Sequence, residues 1–176
     1  MALARAGDPE AWRALYEAYA GRLLAWLLAL VTGDVAMSAE DVAAEAWLTA
    51  ARRMGSFEGD ESAFAGWLFG IARNTAMNTR RRSARRATTP SSIEADDATW
   101  GVSGDVADGV VGDDSVRRLL ARLPPREAEV IAAVDVAGMD VATTSRALGI
   151  SATAVRVARH RGLGKLRGQL GDDLPG

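Results

Sequence analysis

The stretch that most narrows what this chain can fold into is residues 138–167, GMDVATTSRALGISATAVRVARHRGLGKLR. It reads as two short helices around a tight turn. Asp140 is placed to cap the first helix, Leu148-Gly149-Ile150 supplies the turn, and Ser151 is placed to cap the second. Along the second helix Val155, Ala158, Gly162 and Leu166 recur on one side at close to the helical period. The other side carries Thr153, Arg156, Val157, His160 and Arg161. One face can pack while the other reads a base-pair edge, which is the outline of a helix-turn-helix.

Composition limits the alternatives. The chain of 176 residues is rich in helix-forming Ala, Leu and Arg, and no stretch reads as a β-strand, so an all-α fold is expected. There is no cysteine and a single histidine, His160, so disulfides, thiolate sites and multi-histidine metal sites are excluded. No cofactor or metal is expected, and a reducing cytoplasm fits. The most apolar run, residues 23–31, falls well short of the roughly 20 residues that span a bilayer, and it lacks a signal-peptide cleavage pattern. It reads as the core side of a helix, with no membrane insertion. The formal net charge of −2 hides an uneven distribution. Residues 87–114 hold seven acids and no Lys or Arg, which leaves 16 acids against 21 basic residues in the rest of the chain. A basic protein carries an acidic insert.

Helical patterning divides the chain. Asp8-Pro9-Glu10 opens a long amphipathic helix that Gly33 ends. Ser38-Ala39-Glu40-Asp41 resembles a capping box at the start of a second helix, which stops near Gly55. A loop follows, and a third helix runs from about Ser62 towards Arg86 with Phe64, Trp67, Leu68, Ile71 and Thr75 on its buried side. Residues 87–114 have linker composition, too polar and acidic to build a core. Periodicity resumes at Val116, pauses at Leu123-Pro124-Pro125, and restarts into a helix ending at Gly138. The expected architecture is two small helical domains, 1–86 and 115–176, joined by a flexible acidic linker over 87–114.

No acid interrupts residues 62–86, and Arg73, Arg80, Arg81, Arg82, Arg85 and Arg86 lie on or just beyond the third helix. A charge run is often only a solvated face. Here Phe57, Trp67, Asn74 and Asn78 stand beside it, a mixture suited to a melted strand whose bases stack while its backbone follows positive charge. Plain core packing is the competing reading: it is preferred for Phe64 and weighs evenly for Phe57 and Trp67.

A family resemblance covers nearly the whole chain. DVAAEAWL at 41–48, FEGD at 57–60 and WLFGIARN at 67–74 resemble region two of the extracytoplasmic-function (ECF) sigma factors of bacterial RNA polymerase. LPPRE at 123–127 and the helix-turn-helix resemble region four, in the right order and with a linker between. The resemblance implies a promoter-specificity subunit that is not itself an enzyme. Asp41, Glu45, Trp47 and Leu48 would dock on the clamp helices of the β′ subunit. The loop with Phe57, Asp60 and Ser62 would capture a base flipped from the minus-ten element. Trp67, Arg73, Asn74, Asn78 and the arginine run would line the melted strand. Ser151, Thr153, Arg156, Val157, His160 and Arg161 would read the minus-thirty-five duplex. The implied partners are core polymerase, through the β′ clamp helices and the β flap, together with promoter DNA and an anti-sigma factor.

The chain departs from the family in places. Ala44 stands where Gln is usual, Thr144 puts a hydroxyl where an aliphatic group would pack, and Arg159 falls near the core edge with its head turned to solvent. Base preference is therefore this chain's own. The alternative is a stand-alone helix-turn-helix regulator, which would bind duplex DNA tightly without polymerase. A sigma-like partner-binding decoy and a recombinase-like enzyme are weaker readings. The enzyme finds no nucleophile–base pair, metal cluster or glycine-rich phosphate loop to support it.

Overall fold

The helix caps expected at Asp8 and Ser38 both form. Asp8 accepts the Ala11 N–H at 2.8 Å where α2 (Pro9–Leu30) begins, with Pro at the first helical position where its missing donor costs nothing. A single-turn helix, α1 (Ala2–Arg5), precedes it and has no counterpart in the sequence reading. Ser38 and Asp41 form the reciprocal capping box of α3 (Ala39–Arg53), and a 3-10 turn follows at Met54–Ser56. Asp60 caps α4 (Glu61–Ala87) through the Ala63 N–H at 2.8 Å. The C-terminal half holds α5 (Asp113–Ala121), α6 (Pro125–Ile131), α7 (Val141–Leu148) and α8 (Ala152–Asp172).

This computed structural model describes residues 1–30, 38–87 and 113–172, with side chains at 1–30, 38–82 and 115–169. The predicted stop at Gly33, the linker between 88 and 112, and the side chains of Arg85 and Arg86 lie outside the described residues. No strand occurs among the described residues, and none of their helices is long and apolar enough to cross a membrane.

The first three long helices close on Leu23, Trp26, Leu27, Val42, Ala46, Phe64, Leu68 and Phe69, all fully buried. Burial of this kind contributes roughly 1.5–3 kcal/mol for each large side chain. Trp67 and Thr75, expected on the buried side of α4, are half-buried, while Phe69, Ala72 and Ala76 are sealed. In the second half α8 approaches α6 closely at Gly162, where an added Cβ would sit 2.6 Å from Ile131 Cδ1.

One feature differs from the sequence reading. The helix expected to run unbroken to Gly138 changes after Ile131 into a π-helical turn, Ala132–Val136, with the Ala137 N–H bonded to the Ala132 carbonyl at 2.9 Å. Carbonyls left at its end are taken by Arg22 of α2, which donates to Ala137 and to Gly138 at 2.8 Å each. How the two halves sit against each other is left open by the sequence. The halves share one continuous core, with α7 packed along α4 and both α5 and the π-helical turn against α2.

Candidate nucleic-acid interface

The helix-turn-helix forms as its residues require. Asp140 accepts the Thr143 N–H at 2.7 Å, Gly149 takes the left-handed conformation at φ 66°, and Ser151 accepts the Ala154 N–H at 3.1 Å. The Thr143 N–H, with the remaining bonds at this turn, holds the Asp140 carboxyl below its ordinary range against the opposing effect of burial. Val155 and Ala158 are buried against the bundle. Thr153, Arg156, Val157, His160 and Arg161 are all exposed along the opposite face of α8. Arg159 turns outward as expected, and its Nε–H meets Asp135 Oδ2 at 2.9 Å at the π-helical turn. Thr144 is fully buried and its hydroxyl has no partner among the described residues.

In the first half the predicted strand-binding residues are divided. Phe57 is buried, its ring 4.8 Å from Trp67 and 5.9 Å from Phe64, and its carbonyl accepts from Arg5 at 3.3 Å. Asp60 spends its carboxylate on the N-terminus of α4 and on the Ser62 hydroxyl at 2.8 Å. The Ala63 N–H, and after it the Ser62 hydroxyl, hold that carboxyl below its ordinary value. Ser62 in turn accepts from Arg146 of α7, at 3.0 Å on its carbonyl and 3.2 Å on its hydroxyl. A hollow of about 500 Å³ opens beside this loop, lined by Arg53, Ser56, Phe57, Trp67 and Arg146 among others. Asn74, Asn78, Arg81 and Arg82 are exposed and Arg80 is half-buried.

Arg73 has a different fate. Its Nε–H donates to Glu129 Oε1 at 3.0 Å and a terminal nitrogen reaches Oε2 at 3.4 Å, with Glu129 wholly buried on α6. The fork-on-carboxylate geometry makes this a strong, oriented pair. The pair links positions 56 residues apart in the chain, so local patterning could not reveal it.

On α3 Asp41, Glu45 and Leu48 share one side, while Trp47 turns from it towards α2. Asp41 is exposed although it completes the capping box, Glu45 lies 3.8 Å from Arg52, and Leu48 is 51% exposed. Trp47 packs its ring 5.1 Å from Tyr16 and 6.5 Å from Trp12. An apolar groove of about 860 Å³ runs between α2 and α3 past these rings and Leu48.

Sequence reasoning missed Gly66, Gly70, Glu129 and Arg146. The available signal was the pair of glycines four residues apart inside a helix, a pattern that marks close approach of another backbone.

Two family models match in tandem: Sigma-70 region 2 over residues 15–86 and Sigma-70, region 4 over residues 113–166. Among curated relatives, the chain is 28% identical to the ECF RNA polymerase sigma factor BldN of Streptomyces coelicolor over 97% of its length and 64% of that protein. It is 30% identical to SigD of Mycobacterium tuberculosis, spanning 97% of this chain and 82% of the relative. SigM of the same species is 33% identical, over 94% and 81% respectively. A solved structure described as CnrH in complex with the cytosolic domain of CnrY superposes with a TM-score of 0.70 at 22% identity, covering 98% of this chain and 96% of that one.

Proposed function

The chain belongs to the ECF sigma factors of the sigma-70 family, the non-enzymatic subunits that give RNA polymerase its promoter specificity, and from that premise we propose how its two halves divide promoter recognition. Major-groove readout of the minus-thirty-five duplex falls to Thr153, Arg156, Val157, His160 and Arg161, with Ser151 at the helix start near the phosphates. The observation that carries this is the exposure of all five face residues on a helix whose other side is locked into the bundle. Capture of the melted minus-ten strand falls to the loop around Phe57, Asp60 and Ser62 and to α4 with Trp67, Arg73, Asn74, Asn78 and the arginines at 80–82, 85 and 86. The domains of this reading are 1–86 and 115–176, with 87–114 as the acidic connection.

Docking on core polymerase falls to Asp41, Glu45, Trp47 and Leu48, whose acids would meet basic groups of the β′ clamp helices while the apolar groove beside them takes an aliphatic or aromatic knob. Contact of the second domain with the β flap, a cytoplasmic place of work and restraint by an anti-sigma factor complete the reading. They rest on family membership, and CnrH offers a parallel in being solved with another protein's cytosolic domain.

Transcription in vitro by purified core polymerase, with and without the full chain, is the test. Promoter-dependent transcripts are expected only when the chain is present; their absence, together with failure to co-elute with core, overturns the proposal. If four to six phosphates are neutralised, promoter affinity should fall with salt at a log–log slope of roughly −3 to −5.

A further inference from the structure

The contact stripe of α8 is built from small groups where it meets α6. Ala158 and Gly162 are buried there, and a Cβ at Gly162 would stand 2.6 Å from Ile131 Cδ1 and 3.2 Å from Glu127 Cβ, so the helices cross at that glycine. The crossing is close but nearly smooth. Without side-chain ridges to interlock at that point, little in its shape resists rotation of α8 about its own axis. Two charged ties flank it. Arg159, three residues before Gly162, forks onto Asp135 of the π-helical turn, with Nε–H on Oδ2 at 2.9 Å and a terminal nitrogen on Oδ1. Lys165, three residues after Gly162, reaches Glu127 Oε1 of α6 at 2.8 Å. The helical period sends these two side chains out about 60° to either side of Gly162. A roll of α8 in either direction therefore stretches one of them.

The Arg159 tie is a poor stabiliser and a good guide. Arg159 and Asp135 keep 42% and 29% of their side chains exposed, and an ion pair so open to water contributes little to folding. What the fork adds is direction, since a planar guanidinium set on a carboxylate orients both partners. Asp135 stands on a fixed base: the Ala137 N–H bonds the Ala132 carbonyl at 2.9 Å and the Met139 N–H bonds the Ala133 carbonyl at 3.0 Å. Arg159 adjoins His160 and lies one turn from Arg156, so any roll it permits passes directly to them. A group about 5 Å from the helix axis moves sideways by about 2 Å for a roll of about 20°, which is enough to break a hydrogen bond to a base edge. We propose that Asp135 and Arg159 are a positioning pair: with Lys165 on Glu127 they set the roll of α8, and so the register in which Arg156 and His160 meet base edges. The inference rests on the reading of α8 as the duplex-reading helix. It deepens that reading by adding Asp135, which stands off the reading face, to the residues that determine base preference.

The test uses the full chain assembled on core polymerase and a pool of random-sequence duplexes. Selection by the parent yields a preferred duplex, and the base pairs whose preference Arg156→Ala or His160→Ala relaxes mark where α8 reads. Asp135→Ala, which removes the acceptor of the fork, should reduce discrimination at those base pairs about tenfold, the scale of one bidentate base contact. It should lower the melting temperature by no more than about 4 °C. Arg159→Ala should match it in both. The reversed pair, Asp135→Arg with Arg159→Asp, should recover discrimination to within about threefold of the parent. An Asp135→Ala chain that binds every duplex more tightly with unchanged preference overturns the positioning, because loss of one negative charge then explains the effect. Arg159→Ala losing affinity for all duplexes alike, with Asp135→Ala like the parent, overturns it too and places Arg159 on a phosphate. So does a reversed pair no better than either single variant. If neither Arg156→Ala nor His160→Ala relaxes any preference of the parent, the reading of α8 itself falls and the positioning with it.

Discussion

The two faces proposed to meet nucleic acid are presented in opposite states. Along α8 every residue of the reading face is exposed and the packing is done by the other side, through Val155, Ala158 and Gly162. Along α4 the helix is enclosed on two sides, by its own core and by α7, and its first cation, Arg73, is held on a buried glutamate. The difference follows from what each helix must pack. The small-residue stripe of α8 packs on α6 and α7 from one side only, while α4, with apolar residues on one side and a glycine notch on the other, is covered on both. A duplex reader can stand ready at all times, whereas a strand binder has its target only after melting.

The sharpest way to break this contrast is at the buried pair. Removing one partner of a buried, hydrogen-bonded ion pair costs about 3–5 kcal/mol, so Glu129→Ala should lower stability to denaturant by an amount of that order. Arg161→Ala, on the exposed face of α8, should stay within about 0.5 kcal/mol of the parent. Equal losses for the two would mean that α4 is no more committed than α8. The next effect belongs to the open face. Arg156→Ala should weaken discrimination of the promoter duplex by about 1–3 kcal/mol per lost base contact, with the unfolding midpoint unchanged. Competition binding between promoter and scrambled duplexes, in the presence of core polymerase, measures it; a uniform loss on both would reassign Arg156 to the backbone.

Much of this was legible in the residues because it is local. Asp8, the Ser38–Asp41 box, Asp140, Gly149 and Ser151 each declare a helix end by chemistry confined to a few neighbours, and each forms as expected. The exposed face of α8 was legible for the same reason, since one helical period sorts it from the core. What could not be read is what depends on partners distant in the chain. The acid-free run 62–86 suggested a track of available cations, but the acid for Arg73 stands on α6. The π-helical turn was likewise hidden, because it is joined to Arg22, more than a hundred residues earlier. The enclosure of α4 weakens its one-sided pattern, so periodicity alone placed Trp67 and Thr75 on the core side and missed Phe69.

A smaller effect tests how tightly the docked helix is packed. Thr144 lies at zero exposure with its hydroxyl lacking a partner, and an unsatisfied buried hydroxyl costs roughly 1–3 kcal/mol. Thr144→Val keeps the shape and removes the hydroxyl, so it should stabilise the chain by about 1 kcal/mol without altering strand or duplex binding. A loss of stability in thermal unfolding would mean that the hydroxyl is satisfied in solution and that α7 is less dry than its packing implies.

The smallest predicted effect reaches the same helix through its cap. The carboxyl of Asp140 is held below its ordinary value, first by the Thr143 N–H, so its charged form is favoured by folding. A group whose folded value is depressed contributes fully above its unfolded value, about 3.9 for aspartate, and loses that contribution as the pH falls through the lower folded value. Asp140→Ala should therefore cost about 1 kcal/mol at neutral pH, seen as a drop of about 2–4 °C in the melting temperature of a chain this size. The gap from the parent should narrow below about pH 4 as the parent's carboxylate is protonated. Asp140→Asn retains an oxygen acceptor for Thr143 and should stay near the parent at neutral pH without the acid-dependent part. A cap effect that persists undiminished in acid would show that Asp140 holds the helix through its shape and not its charge.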